Sequence, residues 1–210
     1  MLSDPRSGPS ADIVSRKLKI NPGYRQEFWH RNCVAVGMSA GFIEPLEASA
    51  IALVEMSAAM IRDELPANRK VMTTVARRFN ERFSYRWARI IEFLKLHYLL
   101  SQRSDSAYWR DHRATESIPE RLAELVELWR YQSPSRYDLM QTEEIFPSAS
   151  YQYVLYGMGF RTHPRATSSQ KESFEAAHRH FRENEALKVK QINGLPGNRE
   201  LINHLIAQAG

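Results

Sequence analysis

The sequence predicts a mainly α protein with a short β edge at its N-terminus. From Pro45 onward, apolar residues recur three or four positions apart, the spacing of a helix face. Strand-like patterns are confined to the stretch before Pro45. The 9 glycines and 10 prolines in 210 residues are spread between the periodic runs and form no linker, internal repeat or low-complexity tract.

The elements follow in order. Met1 to Ala11 is rich in Ser, Pro, Gly and Asp and reads as loop. Asp12–Ile20 partly alternates apolar and polar residues, which suits a strand, and Asn21-Pro-Gly-Tyr24 supplies the turn that ends it. Asn32–Gly37 is a second strand candidate, short, apolar and closed by glycine. These two read as the edge of a larger sheet. A helix then begins after Pro45. Glu55 is the only charge between Ala48 and Ile61, so this helix is expected to be buried nearly all round. Pro66 stops it.

A long helix is expected from Lys70 to Leu100. Met72, Val75, Phe79, Phe83, Trp87, Ile90 and Leu94 form its core-facing stripe, and its length comes to roughly 45 Å at ~1.5 Å per residue. Shorter helices follow at Ala107–His112, Pro119–Tyr131 and Ser148–Met158. Two more are expected at Ser169–Gln191 and Gly197–Gln208, separated by Gly194-Leu-Pro-Gly197. Pro119 sits near a helix start, where its missing N–H is harmless.

Composition narrows the class. Charged residues make up 25% and hydrophobic residues 43%, ordinary values for a globular chain. No apolar run reaches the ~20 residues of a membrane span, and Met1-Leu-Ser-Asp-Pro lacks a secretory pattern. Cys33, the single cysteine, has no internal disulfide partner and reads as a small buried residue. The expectation is a cytoplasmic protein that engages no membrane. Its net charge of +5 is a mild positive field that suits anionic ligands. Arg78, Arg82, Arg86 and Arg89 form a basic stripe suited to phosphate contacts or to a solvated face. No nucleic-acid motif accompanies them, so no nucleic-acid partner is expected.

The sharpest local feature runs from Asn32 to Ile51. It reads as a strand, a turn of small residues (Gly37, Ser39, Ala40, Gly41) and the first turn of an apolar helix. Such a turn lets a planar ligand approach, and helix-start N–H groups hold anions. Glu47 is placed in that first turn, favoured by the helix dipole. Glu44 and Glu47 fit equally well as ordinary helix-start acids. The aromatic group Tyr151, Tyr153, Tyr156 and Phe160 suits either a pocket for a flat substrate or core. The histidines offer no metal site: His178 and His180 are two apart, and the pairs His112/Glu116 and Glu200/His204 lack a third ligand. His30 and Cys33, on a strand approach, are expected to face opposite sides.

The run Phe28-Trp-His-Arg-Asn-Cys-Val-Ala-Val-Gly, followed by Gly41-Phe-Ile-Glu-Pro-Leu-Glu-Ala-Ser-Ala-Ile51, resembles the flavin-dependent tryptophan halogenases. Phe93-Leu-Lys-Leu-His-Tyr98, Tyr108-Trp-Arg-Asp111, Leu125-Val-Glu-Leu-Trp129 and Tyr151–Gly159 extend the resemblance. It covers Lys17 to Arg161, as the C-terminal part of a longer family member. The resemblance implies the helical substrate- and halide-side region of a flavin-dependent monooxygenase-like fold. Residues 1–44 would end the flavin-binding sheet region and 45–210 would form the substrate-side domain.

The implied chemistry uses reduced FAD, supplied by a separate flavin reductase, with oxygen and chloride or bromide. The hypohalous acid so formed halogenates tryptophan or another indole. The catalytic glutamate of the family matches Glu47, which also faces substrate; the halide contacts match Ser49 and Ala50, and the flavin contacts Met38 and Ile51. Here Ala48-Ser-Ala-Ile51 stands where the usual run is Ser-Thr-Gly-Ile. The chain carries no G-x-G-x-x-G after a strand, no W-x-W-x-I-P and no match to the catalytic lysine, so alone it is expected to be inactive. The resemblance is compatible with a homodimer. The alternative is a helical module that keeps the fold without the chemistry.

Overall fold

The computed structural model describes residues 19–140, 144–163 and 170–209. The predicted strand over 12–20 and the loop before it fall almost wholly outside these residues; Lys19 and Ile20 belong to no element. The molecule is mostly helical with a few very short strands. Gly23–Tyr24 (β1) pairs antiparallel with Gly41–Phe42 (β4), and Trp29–His30 (β2) with Cys33–Val34 (β3). A 3₁₀ turn occupies Gly37–Ser39. The helices are Ala50–Asp63 (α1), Arg69–Leu100 (α2), Ala107–Asp111 (α3), Glu120–Trp129 (α4), Ser148–Gly157 (α5), Gln170–Gly194 (α6) and Asn198–Ala209 (α7).

The strands differ from expectation. The stretch read as a turn at Asn21–Tyr24 contains β1, and the second strand candidate shrinks to Cys33–Val34 in a tight hairpin. Arg31 turns that hairpin at φ 54, a left-handed conformation uncommon for a residue with a Cβ. His30 and Cys33 are direct cross-strand partners, so their side chains share a face. Cys33 is exposed, because the hairpin tip carries it outward from the packed Trp29.

α2 is the spine. Its N-cap is Asn68, whose side chain accepts from the Lys70 N–H at 2.9 Å. One face sends Phe79, Phe83, Trp87, Ile90 and Leu94 into a core with Phe28, Trp29 and Leu53. Further along, Phe93 and Leu96 pack against Leu122, Trp129, Tyr151, Val154 and Leu155 in a second core. Asn80 clamps β2 to α2: its side-chain oxygen accepts from the Phe28 and Trp29 N–H groups at 2.9 and 2.7 Å, and its amide donates to the Trp29 carbonyl at 3.0 Å.

Two expectations about helix faces are corrected. α1 is not buried nearly all round: only Leu53 and Ser57 are buried, and Ile51 is 75% exposed. Among the described residues, little packs on its opposite face. The arginine stripe is not a uniformly solvated face either. Arg86 is buried with its guanidinium 5.0 Å from the Phe83 ring centre, Arg89 pairs with buried Glu92, and Arg78 donates to Glu64 at 2.9 Å. Arg121 reaches Glu92 from α4 at 2.6 Å, which compensates that buried carboxylate.

The aromatic group divides. Tyr151 is core, whereas Tyr153 and Tyr156 are exposed. The chain separates into two compact units, Met1–His163 and Pro164–Gly210, and the described residues of the second form α6 and α7. No helix among the described residues is long and apolar enough to cross a membrane.

Candidate functional site

The site is built where β4 hands the chain to α1. Tyr24 pairs with Gly41, and Tyr24 stacks on Trp87 of α2 at 5.3 Å between ring centres. A Cβ at Gly41 would lie 2.7 Å from the Tyr24 Cβ and 2.8 Å from the Trp87 ring, so glycine is required by close approach. The preceding turn is also pinned: Ser39 Oγ donates to the Val36 carbonyl at 2.8 Å and accepts from its N–H at 3.0 Å. Gly37 holds φ +62. The strand ends at Phe42, and Ile43 to Ser49 cross without regular structure to the start of α1.

Glu47 lies in this crossing and not in the first turn of α1, which contains no acidic residue. Ser49 is the N-cap; its N–H donates to the Glu47 carbonyl at 2.7 Å and its hydroxyl approaches the same oxygen at 3.5 Å. That local turn displaces the helix start to Ala50, so the dipole argument for Glu47 does not hold. It also occupies the backbone N–H of Ser49. Ala50 opens the helix, and its N–H is among the first-turn donors without an intrahelical acceptor.

The Glu47 carboxylate is held instead by a residue that sequence reasoning missed. His97 Nε2 lies 3.0 Å from Glu47 Oε1, across 50 residues of sequence. Its other nitrogen, Nδ1, lies 2.8 Å from the Phe93 carbonyl one turn back on α2. The ring sits edge-on to Phe93 at 5.1 Å. Phe93 in turn stacks on Phe146 at 4.0 Å and is buried. His97 stands inside the family-like run Phe93–Tyr98, but nothing in its spacing connects it to Glu47.

A cavity of about 420 Å³ opens beside Glu47. Its wall is mostly apolar and includes Phe28, Phe83 and Trp87, and all five positions matched to family contacts (Met38, Glu47, Ser49, Ala50 and Ile51) line it. A second cavity of about 280 Å³ shares the wall Phe42, Ile43, Glu44 and Trp87, and continues to Lys95, Tyr98 and His112. There the Lys95 ammonium donates to Ser117 Oγ at 2.9 Å and to His112 Nδ1 at 3.2 Å. Burial lowers the Lys95 pKa. Burial, then the Lys95 charge, lowers that of His112. Tyr98 stacks on His112 at 4.4 Å, and burial, with Tyr108 and Glu44 beside it, pushes its hydroxyl pKa up. A wider groove of about 950 Å³ lies between the β2–β3 hairpin and the first half of α2. It is open, lined by Glu27, Arg31, Arg69, Arg77 and Asn80, and has no share in Glu47. No cluster of metal-ligating side chains occurs among the described residues.

With this geometry in place, the likeness to known proteins is specific. The family profile described as tryptophan halogenase matches residues 6–173. Tryptophan 6-halogenase SttH of Streptomyces toxytricini is 32% identical over 153 residues, which are 72% of this chain and 29% of that protein. The 7-chloro-L-tryptophan 6-halogenase KtzR of Kutzneria sp. (strain 744) is 32% identical over 178 residues, 83% of this chain and 34% of that protein. Among solved structures, a tryptophan halogenase from Shewanella frigidimarina NCIMB 400 is 50% identical with a TM-score of 0.82, over 90% of this chain and 36% of that one. Tar14, a tryptophan C-6 flavin-dependent chlorinase from taromycin biosynthesis, is 28% identical with a TM-score of 0.80, over 89% of this chain and 37% of that one. The chain thus spans about a third of the length of the relatives it matches.

Proposed function

The chain belongs to the tryptophan halogenase family, and on that premise we propose that it forms the substrate- and halide-facing part of a flavin-dependent halogenase, with Glu47 as the catalytic carboxylate. The observation that carries this reading is the position of Glu47: it is a partly exposed carboxylate on the wall of an apolar cavity, fixed at one oxygen by His97. Its other oxygen, Oε2, has no hydrogen-bond partner among the described residues.

Halogenation of an electron-rich indole places positive charge on the ring and then removes a ring proton. A carboxylate at the cavity wall stabilises that charge and accepts the proton at Oε2. The apolar wall, with Trp87, Phe83 and Phe28, suits a flat aromatic substrate. The halide is assigned to the start of α1 at Ser49 and Ala50. The free first-turn N–H of Ala50 carries that contact, because the N–H of Ser49 is bonded to Glu47.

The residues present also fit a flavin ring: Met38 and Ile51, both highly exposed, border the cavity beside the glycine turn at Gly37. When bound, reduced FAD with oxygen and halide supplies the oxidising halogen. The flavin pyrophosphate cradle and the family's lysine belong to a flavin-binding region outside these residues. A flavin reductase is the protein partner, with a homodimer compatible with the family resemblance. The test is to join the chain to the flavin-binding region of SttH and supply FAD, a flavin reductase, chloride or bromide, and tryptophan. Halogenated product that disappears when halide or reductase is omitted supports the reading; a folded, flavin-loaded fusion that makes none with tryptophan or other indoles overturns it.

A further inference from the structure

We propose that His97 is the positioning residue of Glu47 and that the two side chains hold one shared proton between Nε2 and Oε1; the positioning role rests on the reading of Glu47 as the functional carboxylate. The Phe93 carbonyl only accepts, so at 2.8 Å His97 Nδ1 must carry a hydrogen. That fixes the tautomer: in the neutral ring Nε2 is then a bare acceptor. An ionised carboxylate is acceptor-only too. At 3.0 Å a bare Nε2 and a bare Oε1 would face each other through lone pairs, so a proton lies between them. It resides either on the ring, as imidazolium beside carboxylate, or on Glu47, as carboxylic acid beside imidazole.

The geometry gives this arrangement a direction. Phe93 is buried, stacked on Phe146 and edge-on to Tyr151, so the His97 ring is braced from α2. Glu47 sits on an irregular crossing that has no such brace. His97 therefore sets which carboxylate oxygen is engaged and leaves Oε2 without a hydrogen-bond partner among the described residues, on a residue that lines the cavity. When Oε2 takes a ring proton, the shared proton settles on Nε2: Glu47 becomes neutral acid, His97 becomes imidazolium, and water later removes one proton. No atom is gained or lost beyond that proton.

The test reads the proton without requiring turnover. In the full chain labelled with ¹⁵N-histidine, two-bond ¹H–¹⁵N spectra report both ring nitrogens, and His97 is assigned by the signals lost in His97→Gln. The expected result is a protonated Nδ1 and a shared, partly protonated Nε2. In Glu47→Gln, Nε2 should move to the position of a bare imidazole nitrogen while Nδ1 stays protonated. A bare Nδ1, or His97 signals unchanged by Glu47→Gln, overturns the proposal. In the flavin-supplied fusion, His97→Leu should lose turnover by roughly tenfold or more, and His97→Gln, whose amide can donate to Oε1, should recover part of it. Equal turnover in both overturns the positioning role. A wrong assignment of Glu47 itself shows separately, as undiminished turnover in Glu47→Gln with the nitrogen spectra as expected.

Discussion

Gly41 shows how much can rest on the absence of one methyl group. Tyr24, Trp87 and the Gly23 carbonyl all close to within 3 Å of where its Cβ would be, at 2.7, 2.8 and 2.9 Å. Gly41→Ala should destabilise the chain by about 1–3 kcal/mol through overpacking, read as a lower urea midpoint. An unchanged midpoint would mean that β4 shifts freely, and with it the crossing that carries Glu47. A second residue-scale prediction concerns acid. His112 has its pKa held below the usual value by burial and by Lys95. The unfolded chain therefore binds the His112 proton more readily, and stability falls as pH drops below about 6.5 toward the folded-state value. In His112→Gln the loss over that window should be smaller; denaturation midpoints at stepped pH check it. At this scale the sequence was readable only in part. The Gly-Phe-Ile-Glu-Pro-Leu-Glu run singled out Glu47 through its resemblance, and that residue lines the apolar cavity. The helix-dipole argument for the same residue failed because Ser49 folds back on the Glu47 carbonyl. His97 was invisible, since its contact with Glu47 spans 50 residues and no local spacing encodes it.

Among the elements, α2 was the most readable and the strands the least. The stripe expected from Met72 to Leu94 repeats over several turns; Phe79, Phe83, Trp87, Ile90 and Leu94 are buried, while Met72 and Val75 at its start are only partly so. Each strand is two residues long, too short for an alternating pattern to register. The β2–β3 hairpin turns at Arg31 and Asn32, and Arg31 at φ 54 carries none of the glycine signal that marks such turns. α1 was correctly expected as a helix, but its burial was not observed. Apolar composition predicts what a helix seeks to cover, not what is present to cover it. Ile51, Val54, Met38 and Leu46 are all exposed around one cavity mouth or on the crossing that leads to it. The chain should therefore bind a hydrophobic dye, and Ile51→Ser with Val54→Ser should reduce that fluorescence without lowering helicity. Equal dye signal in the double variant would place the dye-binding apolar surface elsewhere, on α6 in particular, where Phe174, Phe181 and Ile192 are also exposed.

The whole molecule belongs to the tryptophan halogenase family, and its described residues carry the proposed chemistry on one spine, α2. Two cores on α2 hold the described residues of the first unit, and the glutamate-bearing crossing is fastened between them: Trp87 from the first core underlies Gly41, and Phe93 from the second braces His97. This explains how a loop residue on a chain about a third the length of its relatives retains a defined position. The most direct measurement compares the flavin-supplied fusion with its Glu47→Gln variant. Halogenated indole is counted by mass spectrometry, and free hypohalous acid is captured by a soluble scavenger in the same reaction. With Glu47 as the carboxylate that completes ring substitution, the variant should still generate scavengeable oxidant while indole halogenation falls on the order of a hundredfold or more. Undiminished halogenated indole in the variant would contradict the account.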